Sequence, residues 1–121
     1  MARVLVVEDE PNIAGIIAFK LRREGHDVRC AADLEAAAGS VGWPEVAVLD
    51  AAVSGPEGSG PGDLAGSLAE RCPLLVLTDA HDAGAGLEVG RMGTATMRKP
   101  FKPTVLARAV AELVESGGRG R

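Results

Sequence analysis

Five short apolar runs recur along the chain: "RVLVV" (3–7), "DVRCA" (27–31), "EVAVLD" (45–50), "PLLVLT" (73–78) and the weaker "TATM" (94–97). Each is too short for a buried helix, rich in strand-forming side chains and nearly free of strict alternation. Strands buried on both faces have this pattern. Helical spacing fills the intervals. After Pro11, Ile13, Ile16, Ile17 and Leu21 recur at one-turn steps, and "EGH" (24–26) ends the segment with a glycine stop. "DLEAAAGS" (33–40) and "DLAGSLAER" (63–71) read as short helices, each opened by an aspartate. "PTVLARAVAELVES" (103–116) is the clearest helix, with Val105, Leu106, Ala109, Val110, Leu113 and Val114 on one face. Strands alternating with helices build βαβ units. The expected fold is therefore α/β, a five-stranded parallel sheet with about five helices on its two faces.

The 121 residues favour one domain, over residues 1–116, with "GGRGR" (117–121) as a flexible tail or linker stub. Aromatic residues make up 2% of the chain, so the core must come from Val, Leu, Ile and Ala. The formal net charge of −4 argues against a general nucleic-acid binder, which needs a basic footprint. No run reaches the length of a membrane span, and the start lacks the regions of a signal peptide, so a cytoplasmic protein is expected. Cys30 and Cys72 lack metal-ligand spacing and read as reduced core residues. His26 fits a helix terminus and His81 a surface loop; neither belongs to a cluster.

Two glycine-rich stretches raise the question of phosphate binding. "SGPEGSGPG" (54–62) has no Gly-Lys pair and is not a P-loop. "GAGLEVG" (84–90) resembles a dinucleotide fingerprint, but its third glycine comes one residue late and too little chain follows.

The strand ends carry the chemistry. The first strand runs into Glu8, Asp9 and Glu10, the third ends at Asp50, the fourth at Thr78 and Asp79, and Lys99 follows the fifth. In an open parallel sheet ligands gather at these carboxyl ends. Carboxylates converging there repel one another unless a cation lies among them, and hard oxygen ligands suit Mg²⁺. Together with Lys99 and the Thr78 hydroxyl they form an electrostatic clamp for a phosphoryl group. Singly, each of these residues is as well explained as a solvated strand end or a helix cap.

With "VLVVEDEPNI…LRREGHDV", "VAVLD", "LLVLT" and "RKPF" in this order, residues 2 to about 115 resemble the receiver domain of bacterial two-component response regulators. The resemblance implies a flavodoxin-like (βα)₅ doubly wound sheet. It implies a phosphorylation-dependent switch, in which a sensor histidine kinase transfers a phosphoryl group to Asp50. Asp9 would ligate Mg²⁺ directly and Glu8 through water, with Asp50 and the Ala52 backbone carbonyl completing the protein ligands. Thr78 and Lys99 would hold the phosphoryl oxygens, and Pro100 would follow a cis bond. The chain would not be an enzyme beyond self-catalysed phosphotransfer and autodephosphorylation. Its output would pass to a downstream effector protein or a C-terminal output domain, with transcription regulation the natural role, and homodimers are common in the family. Neither direct nucleic-acid nor membrane binding is expected of these residues.

Several positions depart from the family pattern. Ser54 stands where proline is usual, though Gly58 falls at a usual glycine site. Asp79 replaces a small residue and Thr96 an aromatic one. "HDAGAGLEVGRMG" (81–93) covers an expected helix with four glycines, each costing about 1 kcal/mol against alanine, so that helix is expected to be short, irregular or mobile. These departures keep open a second function, a receiver-like protein-interaction module that works without phosphorylation. A phosphatase with an aspartate nucleophile fits less well, because Ala52 stands where its second aspartate belongs.

Overall fold

The computed structural model describes residues 2–53, 62–78 and 94–119. The elements run β1 (Arg3–Val7), α1 (Pro11–Arg23), β2 (Asp27–Ala31), α2 (Leu34–Ala38), β3 (Val46–Asp50), α3 (Gly62–Ala69), β4 (Leu74–Thr78), β5 (Thr94–Arg98) and α4 (Pro103–Arg119). All strand pairs are parallel, in the order β2-β1-β3-β4-β5. This is the flavodoxin-like order, with its switch point between β1 and β3. The expectations for Ser54, Gly58, Asp79, His81, the 81–93 helix and residues 120–121 lie outside the described residues.

Two apolar layers flank the sheet. Leu5, Val7, Leu49 and Val76 pack with Leu34 of α2 and Leu64 and Leu68 of α3. Val4, Val6, Val48 and Leu77 pack on the other face with Ile17 and Leu21 of α1 and Leu106 and Val110 of α4. Period-two alternation along β1, β3 and β4 thus feeds both layers, which is why polar residues stand only at the ends of these strands, at Arg3, Asp50 and Thr78. Every residue of β3 and β4 is buried.

The edge strands correct the expectation of uniform burial. In β2, Asp27, Arg29 and Cys30 are exposed, so Cys30 is not a core residue, whereas Cys72 is buried. β5 is only half-buried, with Thr96 exposed. Arg22 donates to the Val28 carbonyl at 3.1 Å and caps part of the outer edge of β2. Sequence periodicity also overstated two helix positions: Ile16 is 51% exposed and Val105 43%.

The helix ends follow local chemistry. Pro11 opens α1, and the Glu10 side chain accepts from the Asn12 N–H at 3.1 Å. Gly25 adopts φ 95°, letting the His26 N–H reach Leu21 O and the Gly25 N–H reach Arg22 O. That pair of bonds is a Schellman closure, and its left-handed residue favours glycine. His26 Nδ1 accepts from the Ala2 N–H at 3.1 Å, and burial lowers its pKa. Beyond the end of α1, where the sequence placed it, His26 thus serves as a hydrogen-bond acceptor for the start of the chain. Asp33 caps α2 through the Ala36 N–H at 2.7 Å, as expected. Asp63 lies inside the first turn of α3, and α4 runs three residues past its expected end at 116.

Candidate functional site

Sheet register brings the acids together. Val7 pairs with Leu49 and Asp50 with Leu77, so the residues that follow β1 and those that end β3 and β4 lie at one level of the sheet. Glu8, Asp9 and Asp50 each offer a carboxylate oxygen, and these oxygens lie within 4.8 Å of one another. Glu8 and Asp50 are each 3% exposed, while Asp9 faces solvent. Thr78, the last residue of β4, is buried beside them in the fold order.

Each buried carboxylate is oriented from its own backbone. Asp50 Oδ1 accepts from the Ala52 N–H at 3.0 Å, a turn in which an aspartate bonds two residues ahead. Glu8 Oε1 accepts from the Glu10 N–H at 3.1 Å. The remaining oxygens converge on Lys99. Its Nζ donates to Asp50 Oδ2 at 2.7 Å and to Glu8 Oε2 at 3.3 Å. The lysine backbone is itself anchored, its N–H donating to Thr78 O at 2.7 Å, and the Lys99–Pro100 bond is cis.

The electrostatics follow from burial. Desolvation, then the hydrogen bond with Asp50, pushes the Glu8 carboxyl up to about 7, against the lowering effect of the Glu10 N–H. Burial alone would lower the Lys99 pKa, but the bond to Asp50 and the two carboxylate charges outweigh it and raise it. One ammonium therefore answers three carboxyl groups, and ionisation of Glu8 leaves the cluster short of positive charge. Hard oxygen donors on one side, and a cation deficit among them, fit Mg²⁺.

Of the sequence-derived residues, Glu8, Asp9, Asp50 and Lys99 come together directly. Ala52 stands in the turn after β3, where its N–H holds Asp50. Glu10 leaves the acid group to cap α1. Its role was legible in Pro11, which marks the first helical position and makes residue 10 the cap. Strand ends placed Lys99 at the edge that carries the acids, but its direct bridge to Glu8, 91 residues away, carried no local signal. Beside the site lies an apolar cavity of about 400 Å³, lined by Ile13, Ile16, Lys99, Pro100, Phe101 and Pro103. Phe19, one turn farther along α1, is 64% exposed with Arg23 over its ring.

No protein-family model matches the chain. Solved structures do resemble it. NtrX from Brucella abortus matches with a TM-score of 0.84 and 26% identity over 99% of this chain and 28% of that one. The chain thus spans little more than a quarter of that longer protein. A CheY-like response regulator receiver domain protein from Methanospirillum hungatei matches with a TM-score of 0.78 and 19% identity, over 100% of this chain and 99% of that one. A response regulator receiver domain protein from Clostridium thermocellum matches with a TM-score of 0.77 and 21% identity, over 95% of both chains.

Proposed function

For a chain with the fold of response regulator receiver domains, we propose a phosphorylation-dependent switch that accepts a phosphoryl group on Asp50 from a sensor histidine kinase. The observation that carries this reading is the meeting of Asp50 with Lys99 at 2.7 Å inside a cluster of three acids. A structural ion pair needs neither the buried Glu8 nor the adjacent Asp9.

In the transfer, an Asp50 carboxylate oxygen attacks the phosphorus of a phosphohistidine. The phosphorus–nitrogen bond breaks, and the imidazole nitrogen keeps its electron pair. The N–H of Ala52 orients the carboxylate, and the proposed roles of Lys99 and Thr78 are to hold the transferred oxygens. Glu8, Asp9, Asp50 and the Ala52 carbonyl would hold Mg²⁺, which when bound supplies positive charge to the phosphoryl oxygens. Hydrolysis of the acyl phosphate restores the carboxylate, so the chain undergoes self-catalysed phosphotransfer and autodephosphorylation without being an enzyme toward other substrates.

The exposed Ile16 and Phe19, next to the apolar cavity at Lys99, are the proposed resting surface for the kinase. The phosphorylated form would act on an effector protein or a linked output domain in the cytoplasm, including in transcription regulation. Residues 1–116 are proposed as the receiver unit and 117–121 as its linker.

A second reading, an interaction module independent of phosphorylation, draws support from Thr96. This small exposed residue on β5 stands where the resemblance expects an aromatic ring. Incubation with Mg²⁺ and acetyl phosphate, followed by mass spectrometry, separates the two. The switch should gain one phosphoryl group, and Asp50→Asn should gain none. No adduct and no Mg²⁺ binding would favour the interaction module.

A further inference from the structure

We infer that α1 is a self-association face, on which a second copy of this chain packs antiparallel, α1 against α1, with Phe19 of each copy over Gly15 and Ile16 of the other. The dimer itself does not depend on the phosphoacceptor reading; its consequence for the kinase does.

Among the described residues three large apolar side chains are exposed, and two of them, Phe19 at 64% and Ile16 at 51%, stand one turn apart on α1. Gly15 is exposed beside them. Glycine is a poor helix former, and no described neighbour requires it here, since a Cβ would meet nothing within 4 Å. A bare backbone at that point suits a face that another helix approaches closely. A hollow of about 480 Å³ runs over it from Pro11 to Phe19 and adjoins the apolar cavity at Lys99, with Ile16 and Pro103 lining both.

Charge selects the occupant. Asp9 and Glu10, both exposed, precede α1; its first turn adds no acid, and its last turn carries Lys20, Arg22 and Arg23. The face is thus acidic at one end and basic at the other. Such a face complements itself when two copies run antiparallel and repels itself when they run parallel. Lys20 is committed to Glu24 at 3.4 Å, and Arg22 to the Val28 carbonyl at 3.1 Å. Arg23 lies on the exposed face, its guanidinium 5.7 Å over the Phe19 ring. At about 1.5 Å of rise per residue, pairing Ile16 with Phe19 across a twofold axis brings Arg23 level, to within about 3 Å along the helix, with Glu10 of the second copy. Two long side chains close that gap.

One helix pair buries less than the roughly 1,200 Å² of a stable interface, so the association should be weak, with a Kd on the order of 100 µM. Because Ile16 and Phe19 also form the proposed kinase surface, each dimer withholds both copies from the kinase. A small phosphodonor needs no such surface.

The test is sedimentation equilibrium of the full chain from about 10 µM to about 1 mM, with folding checked by circular dichroism. The mass should rise from one chain toward two, and less steeply at high salt. Phe19→Ser and Ile16→Ser, both at exposed positions, should each weaken association about tenfold or more. Arg23→Glu and Glu10→Lys should each associate about tenfold more weakly alone, whereas their equal mixture should return to within about threefold of the unaltered chain, since the mixed antiparallel pair restores both contacts. If Glu10→Lys fails to fold, the two serine variants decide. A one-chain mass throughout overturns the inference and leaves the face to the kinase alone. A dimer that survives Phe19→Ser and Ile16→Ser, or folded charge variants whose mixture associates no better than either alone, overturns it as well. Uptake of a phosphoryl group from acetyl phosphate is read separately: its absence refutes the phosphoacceptor reading, and with it the consequence for the kinase, while the dimer stands.

Discussion

Raising the pH of the metal-free protein from about 5 to about 8 should destabilise it through a single side chain, Glu8. Its carboxyl is pushed from 4.5 to about 7 by burial and by the bond with Asp50. A raised pKa means that the folded state binds the proton more tightly than the unfolded state. The associated stability is complete below pH 4.5 and is lost as pH rises through about 7. A displacement of this size corresponds to on the order of 3 kcal/mol, at about 1.4 kcal/mol per pH unit. In a domain of this length, that is a fall in Tm of roughly 10 °C. His26 acts in the opposite direction, since its lowered pKa costs stability as pH falls below 6.5. The assay therefore compares the chain with Glu8→Gln, which retains His26. Urea unfolding in EDTA across the pH range should show the loss in the unaltered chain, and its absence in Glu8→Gln. Saturating Mg²⁺ should remove most of the difference by favouring the ionised carboxylate. Parallel pH profiles for the two proteins in EDTA would refute the electrostatic account of the acid cluster.

Other expected outcomes follow from single contacts. Lys99→Ala in EDTA at neutral pH should cost roughly 1–3 kcal/mol in urea unfolding, because Glu8 and Asp50 lose their shared cation, and added Mg²⁺ should restore much of it. Asp33→Ala removes the cap of α2 and should lower stability by about 1 kcal/mol in thermal melts. Gly15→Ala should raise stability by about 0.5–1 kcal/mol, since an added Cβ meets nothing within 4 Å and α1 gains helix propensity. Gly25→Ala should lower stability by about 1 kcal/mol, because φ of 95° suits only glycine well.

Much of the candidate site was legible before any coordinates, for a topological reason. Parallel strands joined by helices all end on the same edge, so Glu8, Asp9, Asp50, Thr78 and Lys99 could be assigned to one edge from strand ends alone. The edge positions of β2 and β5 were not legible. Composition could not show that Cys30 and Thr96 would be exposed, because the order of strands in a sheet depends on which crossovers pack together. Helical spacing likewise placed Ile16 and Val105 on apolar faces, but how far the sheet covers each face is decided by the packing of α1 against α4.

The sequence by itself determined the alternation of strand and helix, the two-sided burial of β1, β3 and β4, and the acids at their ends, because these follow from local periodicity and chain direction. Only the tertiary structure decided how those acids divide. Asp9 meets solvent, and Glu8 is buried against Asp50 with its proton held to about pH 7. Lys99 answers both buried carboxylates from the far end of the chain. Such a division depends on desolvation and on distances of a few ångströms, and neither exists until the sheet has brought remote segments together.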